Sequence, residues 1–219
     1  YMATLPKQTL PQRIDAVILE SFPRPHLGAS IIGEPCRRKT AYSFYWAHKN
    51  KVDGRLERIF RLGDDIEIQI IKALGTVGIE VKGTQQQIQD DTGHFGGSID
   101  GIAYNVPDFD EPLLFEAKSM NHTNFLEVVR KGVQASKPTH YVQMQMYMGD
   151  LDLHFALYVV YNKNDSKLHT EIVPFDVDCY EDHKNIAADI IRMNHINEFP
   201  RISTNPSWFA CKFCSAKDI

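Results

Sequence analysis

The spacing of apolar residues changes several times along this chain, and each change marks a different element. Residues 12–22, QRIDAVILESF, carry apolar positions at helical spacing and stop at Pro23 and Pro25, so they predict a helix. After a turn-rich stretch through Pro35, the segment 36–50 predicts a second helix, and 55–78 a third that closes at Gly75 and Gly78. In that third helix Ile59, Phe60, Ile66, Ile70, Ile71 and Leu74 fall at roughly helical spacing, which predicts a core face. The period then shifts toward two. Residues 79–91, the run 94–104 and LLFEAK (113–118) read as strands, the last two forming a hairpin around the turn-rich NVPDFDEP loop. Helices over 123–132 and 140–151 come next. A strand pair, 153–163 and 168–175, then turns at Asn162 to Asp165, and an amphipathic helix spans 178–199. No internal repeat interrupts this order. It predicts a single α/β domain, with a helical part over 1–78, a sheet-and-helix core over 79–175, and a C-terminal helix with a cysteine tail over 176–219.

Size and composition change little in this picture. A chain of 219 residues with 43% apolar and 24% charged residues can bury the core of one ordinary domain. No apolar run approaches a membrane span and no signal-peptide pattern opens the chain, so a cytoplasmic, reducing setting without membrane contact is expected. Tyr1 ahead of Met2 reads as an added residue. The net charge of −4 weighs mildly against a nucleic-acid partner, but the basic residues are unevenly placed. Arg37, Arg38, Lys39, Lys49, Lys51, Arg55, Arg58 and Arg61 crowd ahead of the first strands. They are either phosphate contacts or an ordinary solvated helical face.

The hairpin carries the candidate chemistry. With a side-chain period of two, Glu116 and Lys118 project from one face of their strand, and Asp100 on the partner strand can face the same way. Two carboxylates beside an ammonium suit a hard divalent cation with a lysine next to it. The plainer reading is a solvated strand face with a cross-strand ion pair. Glu67 follows Ile66 and so borders the core face of its helix, within reach of an internal site. Gln143 and Tyr147 are four apart and share one helical face, where they serve either the site or the core. His94 and His122 flank the hairpin and are candidates for metal or phosphate contact, against an ordinary surface role.

Asp100 followed by Glu116-Ala117-Lys118 resembles the PD-(D/E)xK nuclease signature, and Gln143 with Tyr147 resembles the QxxxY motif of its RecB-like members. Gly63 and Glu67 resemble the first motif, although many RecB-like nucleases carry His where Glu67 stands. The resemblance implies a restriction-endonuclease-like core, a central mixed sheet flanked by helices. It implies that Glu67, Asp100, Glu116 and the carbonyl of Ala117 hold Mg²⁺ or Mn²⁺, and that Lys118 orients the attacking water. It places Gln143 and Tyr147 near the active site.

Four cysteines remain: Cys36, Cys179, Cys211 and Cys214. The CxxC of Cys211 and Cys214 alone fits a metal knuckle, a redox pair or chance. Iron–sulfur members of the RecB-like family, among them phage-encoded and CRISPR-associated ones, carry one cysteine ahead of the nuclease motifs and three at the C-terminus. Cys36, Cys211 and Cys214 resemble three of these, with the fourth expected just past Ile219, so a 4Fe–4S cluster on a longer tail is implied. In the competing readings Cys179 is the fourth ligand, zinc is the metal, or all four thiols are free.

The resemblance implies a metal-dependent DNA nuclease, most simply an exonuclease acting on ends or single strands, and by family analogy alone a setting in phage recombination or CRISPR-associated processing. A recombination or CRISPR partner protein and an oligomer would accompany that role. A non-catalytic nucleic-acid-binding module and an endonuclease or junction resolvase are the alternatives. No phosphate-binding P-loop or dinucleotide fingerprint is present.

Overall fold

The computed structural model of the protein describes residues 8–19, 25–47, 52–196 and 198–217. They begin with α1 (Leu10–Asp15), β1 (Ile18–Leu19), β2 (Leu27–Gly28), α2 (Ala29–Ile32), α3 (Arg37–Phe44), β3 (Val52–Asp53) and α4 (Gly54–Gly75). Strands β4 (Glu80–Lys82), β5 (Gln87–Gln89), β6 (Phe95–Ser98), β7 (Gly101–Tyr104) and β8 (Leu113–Met120) follow. The chain continues through α5 (His122–Ser136), α6 (Pro138–Leu151), β9 (Phe155–Asn162), β10 (Leu168–Pro174), α7 (Val177–Arg192) and α8 (Phe209–Lys212).

Five strands form the central sheet in the order β10-β9-β8-β7-β4. The β8–β9 pair is parallel, and the other pairs are antiparallel, so the sheet is mixed. Central β8 is covered on both faces, and its apolar start, Leu113 to Phe115, is accordingly continuous rather than alternating. On one face Leu113, Phe115 and Ala117 join Ile66, Ile70 and Leu74 of α4. On the other, Leu114 and Met120 join Met144, Met146 and Met148 of α6, with Ala29 and Ile32 of α2 behind them. Each such fully buried aliphatic side chain contributes about 1.5–3 kcal/mol. Helix α6 is buried on every side from Tyr141 to Met148, which explains a sequence, YVQMQMYM, with no polar face.

Several sequence expectations need correction, beginning with the last helix, which stops at Arg192 and not at Phe199; four others lie earlier in the chain. The first predicted helix ends at Asp15, and Ile18 and Leu19 pair with β3 instead. Its capping box at Thr9 and Gln12 starts it earlier than expected, and the β-branched Val17–Ile18 step suits an extended chain. The rest of that prediction, from Glu20, lies outside the described residues, as do Lys49 and Lys51. Second, the segment to residue 78 carries three short strands besides its helices, and β2 pairs with β6. Third, 79–91 and 94–104 each divide between two sheets: β5 and β6 join β2, whereas β4 and β7 join the central sheet. Ile99 and Asp100 form the step between β6 and β7, so Asp100 does not lie within a strand. Gly101 makes this step possible. Its φ is 154°, and a Cβ there would lie 2.6 Å from Val81 Cγ1. Fourth, Ile59 and Phe60 are not core residues; they are 38% and 51% exposed. The sheet-facing stripe of α4 begins only at Ile66, and the preceding turns border a cleft.

Candidate active site

Side-chain alternation along β8 places Glu116 on the α6 face, and Glu116 is completely buried. Gln143 of α6 donates from Nε2 to Glu116 Oε1 at 2.9 Å. The Lys118 ammonium also contacts that oxygen and lies 3.8 Å from Asp100 Oδ2. Asp100 is fixed from the strand itself, since Oδ2 accepts the Ala117 N–H at 2.9 Å. Glu116 Oε2 is buried without a hydrogen-bond partner. Asp100, Ala117 and Lys118 open onto a cleft of about 440 Å³, with Glu67, Gln85 and the exposed Phe60 on its opposite wall. The expected convergence of Asp100, Glu116 and Lys118 is present.

Burial above all raises the Glu116 carboxyl, Lys118 pulls it down, and Asp100 and Glu67 add to the rise, which together bring it to about 7. Glu67 is also raised, first by burial and then by Asp100, against a hydrogen bond from Gln85. For Lys118, burial disfavours its charge, but Glu116 and Asp100 outweigh burial and hold the ammonium above its ordinary value. Three carboxylates thus repel one another across a site with one ammonium between them. This concentration of perturbed groups in a cleft makes it the candidate functional site.

A divalent cation would offset that repulsion and give the orphaned Glu116 Oε2 a partner, so the charge and donor type fit Mg²⁺ or Mn²⁺. The geometry is more open than expected. Among the described residues no three His, Cys, Asp or Glu side chains stand close enough to hold a metal ion. Glu67 is the outlying member: Gln85 Nε2 donates to both its oxygens, at 3.1 and 3.3 Å. Gln85 was not anticipated from sequence. Its φ of 59° places it in a tight turn with Gly83, and a GTQQQ run signals the turn but not its target.

Tyr147 is buried against the glycine run of β6. A Cβ on Gly97 would lie 2.3 Å from the Tyr147 hydroxyl oxygen but 3.3 Å from its ring carbon. Gly97→Ala is therefore expected to destabilise the protein by about 1–3 kcal/mol in denaturant unfolding. Adding Tyr147→Phe should recover much of the loss; equal losses in the single and double variants would refute the contact.

His140, three residues before Gln143, was also missed. Its Nδ1 shares a 2.8 Å hydrogen bond with the buried Tyr158 hydroxyl, and Tyr158 stands opposite Glu116 in the β8–β9 register. Burial, with Lys118 and Lys137 nearby, pushes His140 down to about 4. A histidine depressed in the folded state adds stability that is complete above its unfolded pKa, about 6.5, and is lost as pH falls toward 4. His140→Gln should flatten that part of the stability–pH curve, by up to about 3 kcal/mol between pH 6.5 and 4. An unchanged slope in urea titrations would refute it. His94 and His122 do not border the cleft: His94 meets the Phe44 ring edge, and His122 Nδ1 lies 2.9 Å from Asn162 Nδ2.

Cys36, far in sequence from Cys211 and Cys214, lines one cavity of about 530 Å³ with them. None of the four cysteines is in a disulfide. Cys179 does not reach this cavity: its Sγ lies 3.7 Å from His183 Nδ1 on α7, and burial, with Asp176 and Asp182, pushes its thiol up to about 11. The reading of Cys179 as a fourth ligand is thereby corrected. Three converging thiols are short of the four thiolates that an iron–sulfur cluster takes, and they do not form a closed metal site.

No family model matches the sequence, and no curated relative aligns with it. Solved structures do resemble it. An alkaline exonuclease (LHK-Exo) from Laribacter hongkongensis is 16% identical with a TM-score of 0.58, over 76% of this chain and 86% of that one. A protein named SSO0001 is 15% identical with a TM-score of 0.53, over 89% and 85%. A phage-related exonuclease from Haemophilus somnus 129PT is 17% identical with a TM-score of 0.50, over 70% and 77%. At these identities the likeness establishes the fold alone, a mixed sheet flanked by helices that this chain shares with the two exonucleases and SSO0001. Among the described residues no helix is long and apolar enough to cross a membrane.

Proposed function

We propose that the protein is a divalent-metal-dependent DNA exonuclease that hydrolyses phosphodiester bonds at ends or in single strands. The observation that carries this reading is the Asp100–Glu116–Lys118 cluster, opening onto a cleft in a fold shared with exonucleases, with one buried Glu116 oxygen left without a partner. In this reading Asp100, Glu116, Glu67 and the Ala117 carbonyl hold Mg²⁺ or Mn²⁺. A cation held there would supply Lewis-acid stabilisation of a phosphate and lower the pKa of a water. Lys118 orients the attacking water and adds positive charge where the phosphorus gains negative charge. Gln143 holds Glu116 in place, and Tyr147 packs β6, which leads into Asp100, against α6.

LHK-Exo has also been crystallised with dAMP, which suits a nucleotide product for this cleft. A phage-recombination or CRISPR-associated setting, a protein partner, an oligomer and a reducing cytoplasm are part of the same proposal; four cysteines outside any disulfide suit the last. A cysteine-held 4Fe–4S cluster belongs to it only with a fourth thiolate on a longer tail, Cys36, Cys211 and Cys214 being the three residues that would take part.

The open geometry at Glu67 favours a second reading, a nucleic-acid-binding module without catalysis. Incubation of end-labelled linear and circular DNA, single- and double-stranded, with Mg²⁺, Mn²⁺ or EDTA decides between them. Metal-dependent loss of linear DNA alone is the expected result. Binding without cutting under every condition would establish the second reading.

A further inference from the structure

The cysteine cavity has a second property that the nuclease chemistry does not use. Among the described residues its wall carries Arg38, Lys39, Arg201, Lys212 and Lys217 and no acidic residue, in a chain whose net charge is −4; Lys39 is paired with Glu34 beside the wall at 2.8 Å, and Arg38 Nε donates to the Phe199 carbonyl. The short helix that brings Cys211 and Lys212 to this wall is also apolar on the outside. Trp208, Phe209 and Phe213 are 44%, 76% and 67% exposed. The Phe209 and Phe213 rings meet edge-to-face at 5.3 Å, and Lys212 Nζ lies 5.5 Å from the Phe213 ring centre. A single exposed apolar side chain is ordinary, but neighbouring exposed rings that form one patch mark an interaction surface.

Clustered cations beside exposed aromatic rings match one kind of ligand. A single-stranded nucleic acid offers a row of phosphates and unstacked bases, and proteins hold it with a cationic groove and stacking rings. A duplex hides its base faces, and a free phosphate has no use for the rings. We propose that residues 201–217, with Lys212 and Lys217 as the principal cations, form a single-stranded-DNA docking surface separate from the cleft. The phosphates lie along the cavity cations, and bases stack on Trp208, Phe209 and Phe213. This inference rests on the nuclease reading and assigns its substrate: a strand unpaired on one side of the cut.

The test uses the full chain in EDTA, so that no strand is cut, and measures fluorescence anisotropy of a labelled single-stranded oligonucleotide and of a blunt duplex across a salt series. Lys212→Glu/Lys217→Glu should weaken single-strand binding about 10-fold or more and lower the salt slope by about 1.4, roughly 0.7 per lost phosphate contact. Trp208→Ala/Phe209→Ala should weaken it by a similar factor at an unchanged slope, since stacking carries no counterion term. Duplex affinity should change less in both variants. Thermal unfolding reports whether each variant folds, and if the lysine pair does not, Lys217→Glu and the aromatic pair decide. Unchanged single-strand affinity in folded variants of a protein that still cuts DNA overturns this inference alone. If charge reversal lowers bound iron instead of affinity, the cations serve the thiols and the inference is overturned. A wild-type protein that neither binds nor cuts DNA overturns the nuclease reading and this inference together.

Discussion

Replacing Lys118 by alanine should lower metal-dependent cleavage by about 10³-fold while changing the dissociation constant for uncut DNA by less than about 3-fold. Among the described residues the ammonium is the one positive group in contact with Glu116 Oε1, and it lies 3.8 Å from Asp100. Its loss acts twice. The group that orients water and offsets charge on phosphorus is gone. Glu116, already up at about 7 through burial, also loses the neighbour that pulls it down. It therefore rises further and is protonated at neutral pH, when it should be an anionic ligand. A raised carboxylate pKa makes stability fall with pH from the ordinary carboxylate range up to the folded-state value. The thermal midpoint of Lys118→Ala should therefore fall away from that of the wild type as pH passes 7. Lys118→Met, which keeps the stem, separates this from lost packing. Single-turnover cleavage with saturating Mn²⁺ is the deciding measurement, and a wild-type rate in either variant removes Lys118 from the mechanism.

Asp100→Ala should lose activity by a similar factor, and with it the stabilisation that a divalent cation gives the wild type. Binding to the folded state alone raises stability by RT ln(1 + [L]/Kd), about 2.7 kcal/mol at a hundred-fold excess over Kd. Alanine also leaves the Ala117 N–H without its 2.9 Å acceptor, a loss of about 1 kcal/mol that would blur the reading. Asp100→Asn keeps an oxygen there and removes only the charge. In EDTA at pH 8 the asparagine variant should be at least as stable as the wild type, because Asp100 raises both Glu67 and Glu116. With saturating Mn²⁺ the order should reverse. Scanning calorimetry in both conditions checks it, and an undiminished response to Mn²⁺ in Asp100→Asn would place the cation elsewhere.

Much of this site was legible before any coordinates. Helical spacing from Ile66 to Leu74 located the face of α4 that meets the sheet. Two-residue spacing placed Glu116 and Lys118 together on β8, and four-residue spacing placed Gln143 and Tyr147 together on α6. These periods are properties of the backbone, and they hold wherever one face is buried against something apolar. Boundaries were less legible. Ile59 and Phe60 share the stripe of Ile66 in the pattern, but they extend beyond the residues of α4 that meet the sheet. The run 94–104 reads as one strand, yet it divides at Asp100, because strand partners are chosen by residues distant in sequence.

What the sequence determined by itself is local: which segments are helix or strand, which side chains share a face, and which residues can bear charge or bind metal. Only the tertiary structure decided what those side chains meet. It brought Gln85 of a turn to Glu67, His140 to Tyr158 and Gln143 to Glu116. It gathered Cys36 with Cys211 and Cys214 while leaving Cys179 on α7. The depth of burial that drives Glu116 to about 7 is likewise a property of the closed core. The physical reason is range. Periodicity and turn chemistry act over a few neighbouring residues, whereas desolvation and charge coupling depend on everything within several ångströms, whatever its place in the chain.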